Sequence, residues 1–541
     1  EMPPVLGLHD LATNRILNPR GKIGKLPRRR RDRTRRSVLR VVLTIYARDL
    51  TTQQRELVRQ IRHSCRSSFR PFFAYYTKRV KTRGFFAAVL ILLVALHLCH
   101  ARVLWTEEDL PLAAARQILF GKTLYSQIWF DKPPLVPLVY LLWGARIGVA
   151  LRLFGALYIW ACCIVAYLFG RDAFGRTAGF WAAGLLAFFL SFDTPSAVVP
   201  LAADLLLVLP HLAAVYLAYR KRAFWSGICA GIGFLTNVKA ALVLGTCALF
   251  LWPSILPLAV GFSLPVIVAV AALIGTGAWS AYVDQVWTWP AIYAGSSHVA
   301  DPLMNGLIRT LNWSGFHAAL LGAAACAFWR NPRWRWAAWA ALSLTGVAMG
   351  ARFFPRYFFL LLPPLVLLAA QGFAEMRPRW QFALALLLLI PLIRFGPRYV
   401  TLALNHDPNW PDLAMDRDSR EAANQIPAAA RGNDTLYVWG YRPDIFVYTG
   451  MRAASRYLDS QAMTGVPADR HLTQSTPVRV GTTAEARREL AESRPDFIAD
   501  GLSLYNSQLA MQRYPELREW LSHYQEFART RDTILYRRVN R

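Results

Sequence analysis

From Gly84 onward, long apolar runs alternate with short polar or basic stretches, the pattern of repeated membrane-crossing helices. The first run, Gly84–Leu104, is long enough to cross a bilayer as a helix. Ile147–Gly170, Thr177–Leu190, Val198–Tyr219, Ile255–Gly277, Ser314–Trp329, Trp336–Gly350, Tyr357–Gly372 and Phe382–Phe395 continue the series. Phe224–Trp252 is also apolar but is broken at Thr236-Asn237-Val238-Lys239, so it reads as two short helices or as a full pair. A lysine there, if it marks a re-entrant tip, would simply reach water near the cytoplasmic face. Ala278–Trp313 reads as a long loop. The count is about eleven or twelve spans. After the first run comes a charge-rich stretch, Trp105-Thr106-Glu107-Glu108-Asp109. An amphipathic segment, Leu110–Phe120, follows and is stopped by Gly121. The stretch ends Trp129-Phe130-Asp131-Lys132-Pro133-Pro134, and its prolines open the next apolar segment.

From Arg398 the composition becomes that of a soluble domain. A helix is predicted over Asp418–Ile426 and a strand over Thr435–Trp439. Thr482 and Glu485 form a capping-box pattern opening a helix to about Ser493. Phe497–Ala499 reads as a strand, Asn506–Tyr524 as a helix interrupted near Pro515, and Phe527–Arg529 with Thr533–Arg537 as a terminal hairpin. Alternating helices and strands point to a small α/β domain. The predicted organisation is a basic tail (1–83), a helical membrane domain (84–397) and a small soluble domain (398–541), whose position suggests a cap on the external face or help in binding an acceptor.

Composition agrees. Of 541 residues, 55% are hydrophobic, and the formal net charge of +29 raises the question of nucleic acid. The excess sits in the tail, with a dense block at Arg28–Arg31, and in short loops between apolar runs. That is the distribution of cytoplasmic anchoring, which argues against nucleic-acid binding. With the N-terminus inside, nearly every expected inner loop is basic, and the acidic stretch falls outside, as does the C-terminal domain. All seven cysteines but Cys65 lie in or beside apolar runs, with no disulfide framework or metal spacing. The basic region is too long for a signal peptide.

The acid pair after the first span, Ala115-Arg116, Gly121-Lys122-x-x-Tyr125 and Asp131-Lys132-Pro133-Pro134 together resemble the first external loop of GT-C glycosyltransferases. The branches most similar are protein O-mannosyltransferase-like and lipid A aminoarabinose transferase-like. The resemblance spans roughly residues 84–397. It implies an inverting transferase of the bacterial inner membrane, using a polyprenyl-phosphate sugar. Location adds a reason, since soluble nucleotide sugars do not reach an outer face. Such chemistry needs a carboxylate to take the acceptor's proton and cations to stabilise the departing phosphate.

Glu107 stands where related transferases place an aspartate, and Glu108 at their following acid. A one-residue shift makes Glu108 or Asp109 the base, and any of the three can instead cap the Leu110 helix through its dipole. Lys132 is the candidate for the donor phosphate, against an ion pair with Asp131. Arg309, Arg352, Arg356 and Tyr357 fall at external span ends, where arginines run against the positive-inside tendency and fit phosphate. Asp131 with His298 is a candidate pair for a divalent metal, as a histidine in the aminoarabinose branch implies. Asp204 is a candidate to face the cavity. The acceptor is a lipid, glycan or protein. A transporter or flippase of lipid-linked saccharides is the competing class; it leaves the acid-lysine loop unexplained and would favour internal repeats.

Overall fold

The computed structural model describes residues 16–17, 23–24, 82–193, 198–296, 301–404, 410–426 and 432–539. Most of the basic tail, and His298, lie outside these residues. The chain divides into two compact units, Glu1–Phe85 and Phe86–Arg541. In the first, β1 (Ile16–Leu17) pairs antiparallel with β2 (Ile23–Gly24). All that follows concerns the second and the helix that leads into it.

That leading helix, α1 (Thr82–Leu98), ends six residues before the apolar run does. Turns follow at His100 and Ala101, and α2 (Thr106–Leu119) begins with the acids already inside its first turn. Pro111 lies within α2 and has no amide hydrogen, so the Glu107 carbonyl has no helical donor at that place. Gly121, at φ +89°, takes the left-handed conformation that ends the helix.

The apolar runs become α3 (Val149–Phe174), α4 (Arg176–Phe189), α5 (Ala203–Tyr219), α6 (Ala223–Phe234), α7 (Ala240–Leu251) and α8 (Ile255–Gly275). Among the described residues, α3 and α8 are the helices that are by themselves long and apolar enough to cross a membrane. Most runs expected as single spans are shorter apolar helices, broken at turns, prolines or 3-10 segments. The side chains of α8 show what surrounds them. Leu256, Val260, Ile267 and Val268 are all exposed, a surface that suits lipid and not water. The opposite face of α8 packs on α6 through glycine. A methyl group added at Gly227 would lie 2.1 Å from the Leu258 carbonyl oxygen, and one at Gly261 2.0 Å from that of Phe224. Small residues here let two backbones touch.

The expected long loop 278–313 is mostly helical. Trp279–Val283, a π-turn at Asp284–Thr288 and Trp289–Gly295 run on as one irregular segment. The next helix, α9 (Pro302–Phe316), starts with Pro302 after Asp301, whose carboxylate accepts from the Met304 amide at 3.0 Å. An acid followed by proline is a helix-start signal that the apolar count overlooks. Then come α10 (Ala318–Arg330), α11 (Trp334–Ala348), a 3-10 turn at Pro355–Leu360 and α12 (Leu362–Glu375). The last pair, α13 (Pro378–Leu386) and α14 (Leu389–Ala403), is bent by 42° and runs past the expected domain boundary.

Beyond it α15 (Pro411–Gln425) leads to a mixed five-stranded sheet of order β4-β3-β5-β7-β6. Strand β3 (Thr435–Trp439) pairs parallel with β4 (Arg452–Ala453) and β5 (Phe497–Asp500). β7 (Ile534–Arg538) pairs antiparallel with β5 and with β6 (Tyr524–Arg529), the expected hairpin. Helices α16 (Asp444–Thr449), α17 (Thr483–Glu492) and α18 (Pro515–Ser522) complete it. Thr482 precedes α17 as expected but its side chain makes no capping bond. Two membrane-side tryptophans, Trp129 and Trp289, are buried in this region's core, ring against ring at 5.7 Å. The sheet is therefore packed onto the helical part and not strung from it.

Candidate active site

Consecutive residues on a helix point about 100° apart, so three acids in one turn cannot share a direction. Glu107, Glu108 and Asp109 face three different environments. Glu107 is part-exposed and forms an ion pair with Arg356. Glu108 points inward, where Arg152 grips both its oxygens at 2.8 Å and the Leu201 amide donates to one at 2.8 Å. Glu108 and Arg152 are both fully buried. Asp109 turns toward the C-terminal region and is buried near Asp444 and Asp459.

Burial, with Asp444, Asp459 and Glu108 nearby, pushes the Asp109 carboxyl well above the usual range, against the pull of its bond from the Leu110 amide. Burial likewise raises Asp444 to about 6 and Asp459 to about 7. Tyr441 lies within electrostatic range of Asp109, Asp131, Asp459 and Arg356, so the C-terminal region reaches into this site.

Around Glu107 the helix ends bring further charge together. Arg356, in the turn after α11, also faces Asp204 at 3.4 Å. Asp204, on the first turn of α5, accepts from Asn237 at 2.9 Å. Lys239, at the start of α7, sits 3.1 Å from the centre of the Tyr357 ring. Its buried nitrogen makes no hydrogen bond among the described residues. Lys132 bonds both oxygens of Asp131, at 3.0 and 3.2 Å, and with Lys239 acts on Asp204. Burial opposes the charge on Lys132, but Asp131 outweighs it and holds the ammonium above its ordinary value.

The loop carrying Lys132 is anchored at several points. The Tyr125 hydroxyl donates to the Lys132 carbonyl at 2.8 Å. Gln285 donates to the Tyr125 carbonyl at 3.0 Å and accepts from the Phe130 amide at 2.8 Å. Lys122 donates to the carbonyls of Ala453 and Ser455 at 2.6 and 3.0 Å. Arg116 reaches the Val447 carbonyl at 2.6 Å. The motif residues Arg116, Lys122 and Tyr125 thus hold loop and C-terminal region in place, while Lys132 and Glu107 face the site.

Two of the expected cations, Arg352 and Arg309, have other partners close by the cluster. Arg352 is buried, bonding Asp469 at 3.1 Å and the Tyr293 carbonyl at 2.6 Å, with its guanidinium 3.3 Å from the centre of the Tyr293 ring. It ties the helical part to the C-terminal region. Arg309 bonds Asn305 at 2.8 Å and lies against Phe354, whose ring Arg356 also approaches. For a metal, both Asp131 oxygens face Lys132, and His298 is outside the described residues. Among those residues no three His, Cys, Asp or Glu side chains converge on one point. Lys239, open to reading as a cytoplasmic tip, is instead at the Glu107 end, where it acts on Asp204, the acid that Arg356 also faces. Arg152 is not among the sequence candidates, although a lone arginine inside an apolar run is itself a signal. Nothing in the sequence pattern marks Gln285 or Tyr441.

This arrangement, apolar helices with a charged cluster at their ends beneath a mixed sheet, is the fold of GT-C-type membrane glycosyltransferases. In particular the chain is similar to ArnT from Cupriavidus metallidurans bound to undecaprenyl phosphate. The TM-score is 0.54 at 16% identity, over 83% of this chain and 97% of that one. The apo state of the same protein gives 0.52 at 15% identity, over 85% and 98%. The archaeal oligosaccharyltransferase AglB from Archaeoglobus fulgidus, in complex with an inhibitory peptide and a dolichol-phosphate, gives 0.44 at 11% identity, over 84% and 74%. No protein-family model matches the sequence, and no curated protein matches it.

Proposed function

We propose that this protein is an inverting glycosyltransferase that moves a sugar from a polyprenyl-phosphate donor to an acceptor at the outer face of the inner membrane. One observation carries the reading. Glu107, Asp204, Lys132, Arg356 and a Lys239 with no hydrogen bond among the described residues converge where apolar helices end. A carboxylate that is part-exposed beside several cations suits a reaction that gains a proton at one point and releases phosphate at another. That the ArnT structure holds undecaprenyl phosphate agrees with a lipid-phosphate donor here.

In this mechanism the donor phosphate enters between Lys132, Lys239 and Arg356. Its negative charge competes with Glu107 for Arg356, which frees the carboxylate. Glu107 takes the proton of the acceptor as the acceptor's nucleophilic atom bonds to the anomeric carbon. The bond from that carbon to the phosphate oxygen breaks at the same time, and the phosphate leaves with the electron pair. A single displacement inverts the anomeric centre. Asp204 holds Arg356 at its Nε while Glu107 meets its Nη1, and Glu108 stays in its buried pair throughout. With the C-terminal region on the same outer side, Tyr441 and Asp459 roof the acceptor side.

The test is transfer from a polyprenyl-phosphate sugar by purified protein. Glu107→Gln is expected to lose transfer by about a hundredfold or more while still binding undecaprenyl phosphate. Full transfer by Glu107→Gln, Glu108→Gln and Asp109→Asn would overturn the proposal and favour a lipid-saccharide transporter.

A further inference from the structure

The helices that carry the candidate site have a second polar feature at their other ends. Asp204 and Lys239 lie at the starts of α5 and α7, and Arg356 follows the end of α11. Tyr219 closes α5, Phe250 is in the last turn of α7, and Trp334 opens α11. At 1.5 Å per residue α5 separates the two regions by about 25 Å. Between these ends is a cavity of about 380 Å³, lined by Tyr219, Phe250, Lys221 and the run Arg333–Trp336.

Its lining is cationic and aromatic, with no carboxylate. The nearby acid, Asp172, is already engaged by Arg171, Arg220 and Tyr216. Lys221, Arg333 and Arg335 therefore have no acidic partner among the described residues. Lys221 has φ +58°, an uncommon conformation for a side-chain-bearing residue. It uses one N–H on the Phe250 carbonyl at 2.6 Å, leaving two. The Arg333 guanidinium lies 5.1 Å from the Phe174 ring and that of Arg335 5.5 Å from the Trp334 ring. Neither guanidinium makes a hydrogen bond among the described residues, so the N–H groups of both remain available to a phosphate. Trp336, buried against Phe174 at 4.9 Å and Phe250 at 5.9 Å, forms an apolar floor. Trp334 is 63% exposed at the rim. The first amides of α11 carry no side-chain cap.

A phosphate fits three unneutralised cations, and an apolar floor beside it fits the glycerol and upper acyl chain of a lipid. Helix ends of a membrane fold lie at headgroup depth, where basic pockets between helices hold phosphate. We propose that this cavity binds the headgroup of an anionic phospholipid and so braces α5, α7 and α11, whose far ends carry the charged cluster. The proposal is independent of whether the protein transfers sugar.

Delipidated protein in detergent would be melted with phosphatidylglycerol, phosphatidylcholine or inorganic phosphate. Phosphatidylglycerol is expected to raise the melting temperature, and the other two are not. Arg333→Gln with Arg335→Gln should weaken phosphatidylglycerol binding about 30-fold. Lys221→Gln should weaken it about 5-fold, which decides the matter if the double variant does not remain monodisperse. Arg222→Gln removes one charge at the same end but outside the lining, and should change nothing. Equal stabilisation by phosphatidylcholine overturns the anionic requirement. Equal stabilisation by inorganic phosphate overturns the lipid as source. Unchanged affinity in the variants overturns the site.

Discussion

Glu108 and Glu107 are neighbours in sequence, and their substitution by glutamine should have opposite consequences. Glu108 accepts two bonds from Arg152 and one from the Leu201 amide, in a site without solvent. Glutamine there keeps the shape but leaves the guanidinium without a counter-charge and turns an amide hydrogen toward it. Removing one partner of a buried pair costs about 3–5 kcal/mol, mostly from the charge left behind. Glu107 and Arg356 are each roughly a third exposed, so water screens their attraction. That pair contributes less than about 1 kcal/mol. A denaturant titration in detergent should therefore find Glu108→Gln strongly destabilised and Glu107→Gln near the parent. Transfer activity, measured on folded protein, should fall for Glu107→Gln. The sharper test adds Arg152→Gln to Glu108→Gln. With both charges gone, the double variant should be more stable than either single one. If Glu108→Gln unfolds like the parent, or the double variant is worse than both singles, the pair is not what holds this turn.

Three further outcomes follow from the geometry. Lys239→Met keeps the bulk over Tyr357 but removes the charge, and should weaken undecaprenyl phosphate binding about 10- to 100-fold in a direct titration; unchanged affinity would remove Lys239 from the phosphate site. Asp459 is raised from 3.8 to about 7 by burial, so the folded state holds its proton more tightly than the unfolded chain does. Its contribution to stability is full below about pH 4 and is lost as pH rises toward 7; Asp459→Asn should flatten that fall in pH-dependent melting, and an identical profile would sink the assignment. Gly261→Leu should separate α6 from α8, since even a methyl group would lie 2.0 Å from the Phe224 carbonyl oxygen; loss of monodisperse protein on gel filtration is expected, and a normal profile would show the crossing to be loose.

The apolar pattern gave the helix series, because burial in lipid leaves a long and continuous signal. It also gave the strands at Thr435, Phe497 and the terminal hairpin, whose alternation is local. It did not give helix 302–316, because exposed Leu303, Leu307 and Leu311 are spaced for one face among polar residues and never form a run. Nor did it give the sharing of labour among three consecutive acids. Composition treats Glu107, Glu108 and Asp109 as a cluster, whereas rotation along α2 sends them apart. What decides their roles is the partner each meets, and Arg356, Arg152 and Asp444 are each more than forty positions away or separated by a fold. A one-dimensional reading has no access to those distances.

The residues around Lys132 explain why a short loop can be positioned without lying in a helix. Its main chain is held at the Lys132, Tyr125 and Phe130 positions by Tyr125 and Gln285. Trp129 is buried in the C-terminal core, and its amide donates to the Arg456 carbonyl at 2.7 Å. The loop is thus clamped from the irregular 279–295 segment on one side and from the sheet region on the other. Moving either clamp displaces the Lys132 ammonium relative to Arg356 and Glu107, which belong to different elements. The C-terminal region therefore bears on the charged site in two ways, by supplying Tyr441 near Arg356 and by fixing the loop from which Lys132 projects. Substituting Gln285 by Ala removes one donor and one acceptor while leaving every site charge in place. A drop in turnover with unaltered melting would assign the loop's rigidity to catalysis; equal loss of both would assign it to folding alone.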